Sequence, residues 1–134
     1  MSAPELAEIL ADPSRNGLYR VSEGLNPPGA VTLSGARMTD KRAMLAELAD
    51  KLAFPDYFDR NWDALEECLN DLSWFDGETC LVIEDAGVPE AEAPEAWGVL
   101  LDILGDAARA WRDEGRVFSV FLQGGHTAYP KVTA

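Results

Sequence analysis

Carboxylates crowd one stretch of this chain of 134 residues. Between residues 56 and 95 stand Asp56, Asp59, Asp63, Glu66, Glu67, Asp71, Asp76, Glu78, Glu84, Asp85, Glu90, Glu92 and Glu95, with Arg60 as the one base. That window carries twelve of the thirteen net negative charges, and elsewhere ten bases nearly balance eleven acids. Carboxylates at this density can work as acid and base, ligate a cation, or form an anionic surface. An acid–base pair needs two environments that push the pKa values apart, which an exposed run of acids does not provide. A calcium loop needs alternating oxygen ligands around a glycine turn, and the spacing here does not match it. The reading left is an anionic surface held for a cationic partner, with a merely solubilising face as the plain alternative.

Other reactive residues are few. His126 is the single histidine and lies in a glycine-rich segment, so neither a zinc site nor a Ser-His-Asp or Cys-His arrangement is expected. Cys68 and Cys80 fall on separate elements. With no export signal in Met1-Ser2-Ala3-Pro4-Glu5, they read as buried thiols rather than a disulfide. The net charge of −13 excludes nucleic acid and anionic membrane as partners, since both call for basic surface. No apolar run reaches about 18 residues, so no membrane span is expected. A hydrophobic content of 47% is too high for a disordered acidic tail. The expectation is one cytoplasmic acidic domain, monomeric, without metal, cofactor or enzymatic activity.

The elements that must position the acids follow from periodicity. Ser2 caps a short helix with Pro4 in its first turn and Leu6, Ile9 and Leu10 as its apolar stripe, ending at Asp12-Pro13. Gly17–Val21 reads as a short edge strand, and Asn26-Pro27-Pro28-Gly29 as a loop. Ala30–Gly35 is a strand; Thr39 caps a helix over 40–53, with Met44, Leu45, Leu48 and Leu52 at helical spacing. Pro55 ends it, and Arg60 or Asn61 opens a second helix running to about Leu72. Trp74-Phe75-Asp76-Gly77 turns the chain into a buried strand, Cys80–Ile83. Pro89 and Pro94 bracket an acidic loop before a long helix from Glu95 to Glu114, which Gly115 stops. Val117–Leu122 is the last strand, and the residues from Gly124 onward are expected to be mobile unless they dock. Strands alternating with helices imply parallel crossovers and an α/β layered fold.

On the second helix, Trp62, Leu65, Cys68, Leu69 and Leu72 fall on one side. Asp59, Asp63, Glu66, Glu67 and Asn70 fall opposite, within an arc of roughly 100°. Like charges at i,i+3 and i,i+4 repel, and no lysine or arginine relieves this stripe.

The segment from Phe54 to Leu69, Phe-Pro-Asp-Tyr-Phe-Asp-Arg-Asn-Trp-Asp-Ala-Leu-Glu-Glu-Cys-Leu, closely resembles the signature of the barstar family. That signature runs Pro-acid-aromatic-aromatic, three residues, then Asn-x-Asp-Ala-Leu-x-acid-Cys-Leu. The resemblance extends over about residues 30–122, leaving 1–29 as an N-terminal helix-and-strand extension and 123–134 as a tail. It implies a three-stranded parallel sheet packed by helices. It also implies an inhibitor or immunity protein that seats the signature helix and its preceding loop over a ribonuclease active site.

Carried over by position, Tyr57 corresponds to an aromatic contact, Asp63 to an acidic contact, and Glu67 to the acid nearest the catalytic phosphate site. With Asp59, Glu66 and Asn70 of the same face, these are the candidate partner-binding residues. The chain departs from the family pattern where Glu66 replaces an interface tryptophan and Ala110 an acid on the long helix. Glu67 is also a methylene longer than the aspartate it replaces. The implied partner is a basic ribonuclease of the extracellular type or a related toxin, and these departures favour a cationic nuclease different from barnase, or another toxin. The alternative is an acidic module for a basic protein that is not a nuclease.

Overall fold

A computed structural model describes residues 6–22, 27, 29–54, 61–71, 79–126, 129, 130 and 132. Four strands, β1 (Gly17–Val21), β2 (Val31–Ser34), β3 (Thr79–Glu84) and β4 (Phe118–Gln123), form one sheet in the order β1-β4-β3-β2. Every neighbouring pair is parallel. The helices are α1 (Leu6–Ala11), α2 (Lys41–Lys51), α3 (Trp62–Asp71), α4 (Gly87–Glu92) and α5 (Pro94–Asp113), with single 3-10 turns at Pro13–Arg15 and Gly35–Arg37.

The sheet divides the interior in two. Leu33, Leu81, Ile83, Phe118, Val120 and Leu122 point into the larger core with the apolar faces of α2, α3 and α5. The alternate residues Cys80, Val82 and Phe121 point the other way, where Ile9 of α1 and Val132 cover them. All six residues of β4 and five of six in β3 are buried, as central parallel strands covered on both faces must be.

The sheet has four strands rather than the three expected. The family resemblance covers residues 30–122 only, whereas the added strand lies before it and pairs from Gly17↔Ser119 to Val21↔Gln123. Asn16 pins its start: the side-chain amide donates to Ala108 O (3.1 Å) and Arg116 O (2.8 Å), and Oδ1 accepts from Phe118 N (3.0 Å).

The element boundaries have local causes. Asp40, not Thr39, caps α2: its backbone is extended and its Oδ1 accepts from Ala43 N at 2.8 Å. The helix closes with Ala53 in the left-handed region (φ 53°) and Phe54 N donating to Ala49 O, the long bond of a Schellman ending. Gly115 (φ 72°) ends α5 in the same way, with Arg116 N donating to Trp111 O. The segment between Pro89 and Pro94 is not a loop. It contains most of α4, because Pro89 sits in the first helical turn, where its missing N–H has no intrahelical role. Gly35 is required by packing: a Cβ there would lie 2.2 Å from Glu84 O and 2.5 Å from Asp85 O, both backbone atoms. Buried Glu47 ties α2 to the sheet by accepting from Ser34 N at 2.6 Å.

The chain after β4 docks at two points: Arg20 N donates to Pro130 O, and Val132 N donates to Arg20 O, both at 2.8 Å. Among the described residues no helix is long and apolar enough to cross a membrane. The expected Ser2 cap and the Trp74–Gly77 turn lie outside the described residues.

Candidate protein-interaction surface

The acidic stripe is carried by α3, whose start is set by Asn61. Its Oδ1 accepts from Ala64 N at 2.7 Å, so Asn61 rather than Arg60 is the residue that caps the first turn. Leu65 and Leu69 are fully buried and Cys68 nearly so, and Trp62 packs against the larger core. Burying each leucine stabilises the helix's seat by about 1.5–3 kcal/mol. A polar bond fixes the rotation: buried Trp111 of α5 donates its indole N–H to Leu69 O at 2.9 Å. The α3 backbone is thus held from behind, which determines what it shows in front.

In front are Asp63, Glu67, Asn70 and Asp71, all exposed, with Glu66 half-buried at the margin. The four of the six expected residues that the structure describes (Asp63, Glu66, Glu67, Asn70) therefore share one outer side. Asp71 joins them one turn beyond Glu67, a residue the sequence reading left out although its i+4 spacing marks it. The other two expected residues, Tyr57 and Asp59, lie outside the described residues.

Asp63–Glu66, Asp63–Glu67 and Glu67–Asp71 are like-charge neighbours on the helix surface, together unfavourable by about 1 kcal/mol at low salt. Among the described residues no ion pair engages these four carboxylates; the ion pairs of the surface lie elsewhere, as in Arg109–Asp106 and Arg15–Glu8. Among the described residues a cation beside the helix is Lys41, whose Nζ stands 5.3 Å over the Trp62 ring, on an aromatic face. That contact joins α2 to the first residue of α3, and the sequence reading missed it because the two residues are distant in the chain.

Among the described residues no three His, Cys, Asp or Glu side chains gather in a way that could hold a metal ion. Burial raises the Cys68 thiol, and the charges of Glu67 and Asp71 raise it further, so it stays protonated at neutral pH. Burial alone pushes Cys80 up to about 12. His126 is exposed and uses its backbone N–H on the Glu90 carboxylate at 2.9 Å, away from α3. A helix face dense in exposed carboxylates, with no ion pair to them among the described residues, is suited to binding a basic surface.

Comparison with known proteins agrees with the fold. Residues 29–123 match the family model described as Barstar (barnase inhibitor). A protein of Bacillus subtilis (strain 168), named "Putative ribonuclease inhibitor YrdF", is 28% identical over 87 residues, which are 65% of this chain and 93% of that protein. The matched span begins two residues before β2 and ends with β4, so it takes in α3 together with α2 and α5, which hold it. On the parallel sheet, the signature helix and this match over most of its length, the chain belongs to the barstar family.

Proposed function

We propose that this protein is a ribonuclease inhibitor that blocks a cationic active site with the exposed face of α3 and the loop before it. The observation that carries the reading is the division of α3: Leu65 and Leu69 sealed in the core, and Asp63, Glu67, Asn70 and Asp71 exposed, with no ion pair to any of them among the described residues. The ribonuclease-inhibitor name of the Bacillus relative supports it.

The physics is that of substitution. A ribonuclease must attract a polyanion, so its site presents arginine, lysine and histidine around the scissile phosphate. Carboxylates fixed on a helix occupy the phosphate positions through charge-assisted hydrogen bonds and offer no bond to cleave. Their orientation is set before binding, since the helix is anchored from behind, and little conformational entropy is lost on docking. In this proposal Asp63 and Glu67 make the central contacts, with Tyr57, Asp59, Glu66 and Asn70 around them. The partner is a basic ribonuclease of the extracellular type or a related toxin, met by a monomer in the cytoplasm of the producing cell. Glu66, charged where the family pattern has a flat aromatic, favours a partner with an extra basic residue at that point.

The test is inhibition of RNA cleavage by a basic ribonuclease encoded next to this chain. Asp63→Lys and Glu67→Lys should each weaken inhibition by about 2–5 kcal/mol while leaving the melting temperature unchanged, because neither side chain supports the core. Full inhibition by both charge reversals would overturn the proposed contact surface.

A further inference from the structure

The family match spans residues 29–123, yet the sheet has a strand before it and the chain after it returns to that strand. Before the match comes β1, lying along the outer edge of β4. After it, the chain returns to β1 through the two backbone bonds between Arg20 and residues 130 and 132. One residue bonded to positions two apart on its neighbour is the pattern of a parallel ladder. The returning segment also straddles the sheet. Tyr129 packs against the larger core, where burial and the charge of Asp102 raise its phenol. Val132, 2% exposed, joins Ile9, Val21 and Phe121 on the opposite face. β1 is therefore gripped at its edge and from both faces.

What β1 covers explains the grip. β4 reads Phe-Ser-Val-Phe-Leu-Gln, six buried residues with neither charge nor proline. A bare edge of that composition recruits another strand, and nothing in it would discourage the pairing. By contrast, β1 contributes little to the larger core. Among the described residues before 30, Leu18 alone belongs to it. The Arg20–Val21 end of β1, beyond the part that Asn16 ties to α5, can thus come away without dismantling the packing that seats α3.

We propose that residues 129, 130 and 132 belong to a strap that locks β1 over β4, and that this lock prevents two copies of the chain from pairing through their β4 edges. Release of the strap loosens the Arg20–Val21 end of β1 while Asn16 still holds its start, uncovers the Leu122–Gln123 end of the β4 edge and the back-face residue Phe121, and leaves the α3 surface in place. Because each copy carries −13, pairing of released molecules strengthens as salt screens their repulsion.

The experiment is Val132→Asp in the full chain, followed by amide hydrogen exchange and sedimentation equilibrium over a range of protein and salt concentrations. Exchange at the Arg20 amide should accelerate at least 100-fold while the Leu65 and Leu69 amides keep their protection. A concentration-dependent dimer, tighter at high salt, should appear where the parent chain sediments as a monomer, and Val132→Ile should behave as the parent. Unchanged protection at Arg20 would overturn the strap. Equal loss of protection in β1 and α3 would overturn its separability, and selective loss with a strictly monomeric protein would overturn pairing through β4. Should Val132→Asp fail to fold, Val132→Ala is read by the same criteria, with at least 10-fold acceleration expected at Arg20.

Discussion

Cys68 and Cys80 show how far burial governs single residues in this protein. Both thiols are held protonated, Cys80 up to about 12 against an ordinary value of 9.0. The sign of the linkage follows directly. Below about pH 9 the thiol is protonated in folded and unfolded chains alike, and it contributes nothing to pH dependence. Above that, the unfolded chain loses its proton while the folded one keeps it, so stability falls with rising pH until about 12. Denaturation by urea at pH 8 and pH 10 should show an alkaline loss about 1 kcal/mol smaller in Cys80→Ala than in the parent chain. Asn61 is the other single residue with a measurable share. Replacing this exposed cap by alanine should cost about 1 kcal/mol, and Asn61→Asp should cost little, since an anion also suits the helix N-terminus. The cap was readable from the sequence as an asparagine preceding an amphipathic run. Asn16 was not: its three bonds reach Ala108, Arg116 and Phe118, about a hundred positions away, and nothing local marks it.

At the scale of elements, α3 was the most readable part of the chain because its signal is periodic and doubled. Apolar residues at helical spacing and acids at the complementary spacing define one rotation, and the structure has it, with Leu65 and Leu69 inside and Asp63 and Glu67 outside. What periodicity could not supply is the clamp from Trp111 to Leu69 O and the Lys41–Trp62 contact, which depend on how α2 and α5 approach. The segment of α4 misled the sequence reading for a different reason. Two prolines five residues apart look like loop punctuation, yet each occupies the first turn of a helix, where proline is tolerated. The edge strand β1 was seen as a strand, but not counted in the sheet, because pairing with β4 is a tertiary event.

For the whole molecule the charge is a long-range property, and its consequence is kinetic. Twelve of thirteen net negative charges lie in residues 56–95, the window that contains α3. Association with a basic ribonuclease should therefore slow steeply with salt, as screening over about 10 Å at 0.1 M removes the steering. Stopped-flow mixing at several salt concentrations reads this, and an on-rate independent of salt would contradict electrostatic capture. Dissociation should change far less, since close contacts are poorly screened once water is excluded.

The sequence by itself determined the acidic character, the α/β class and the two-faced helix, because composition and periodicity are local properties that any fold must accommodate. Only the tertiary structure decided that Gly17–Val21 completes a four-stranded sheet and that residues 130 and 132 return to bind it. It also decided that α3 is held by an indole from a helix forty-two residues away. Those outcomes rest on backbone groups finding partners far along the chain, and a hydrogen bond between distant residues leaves no periodic trace in either segment.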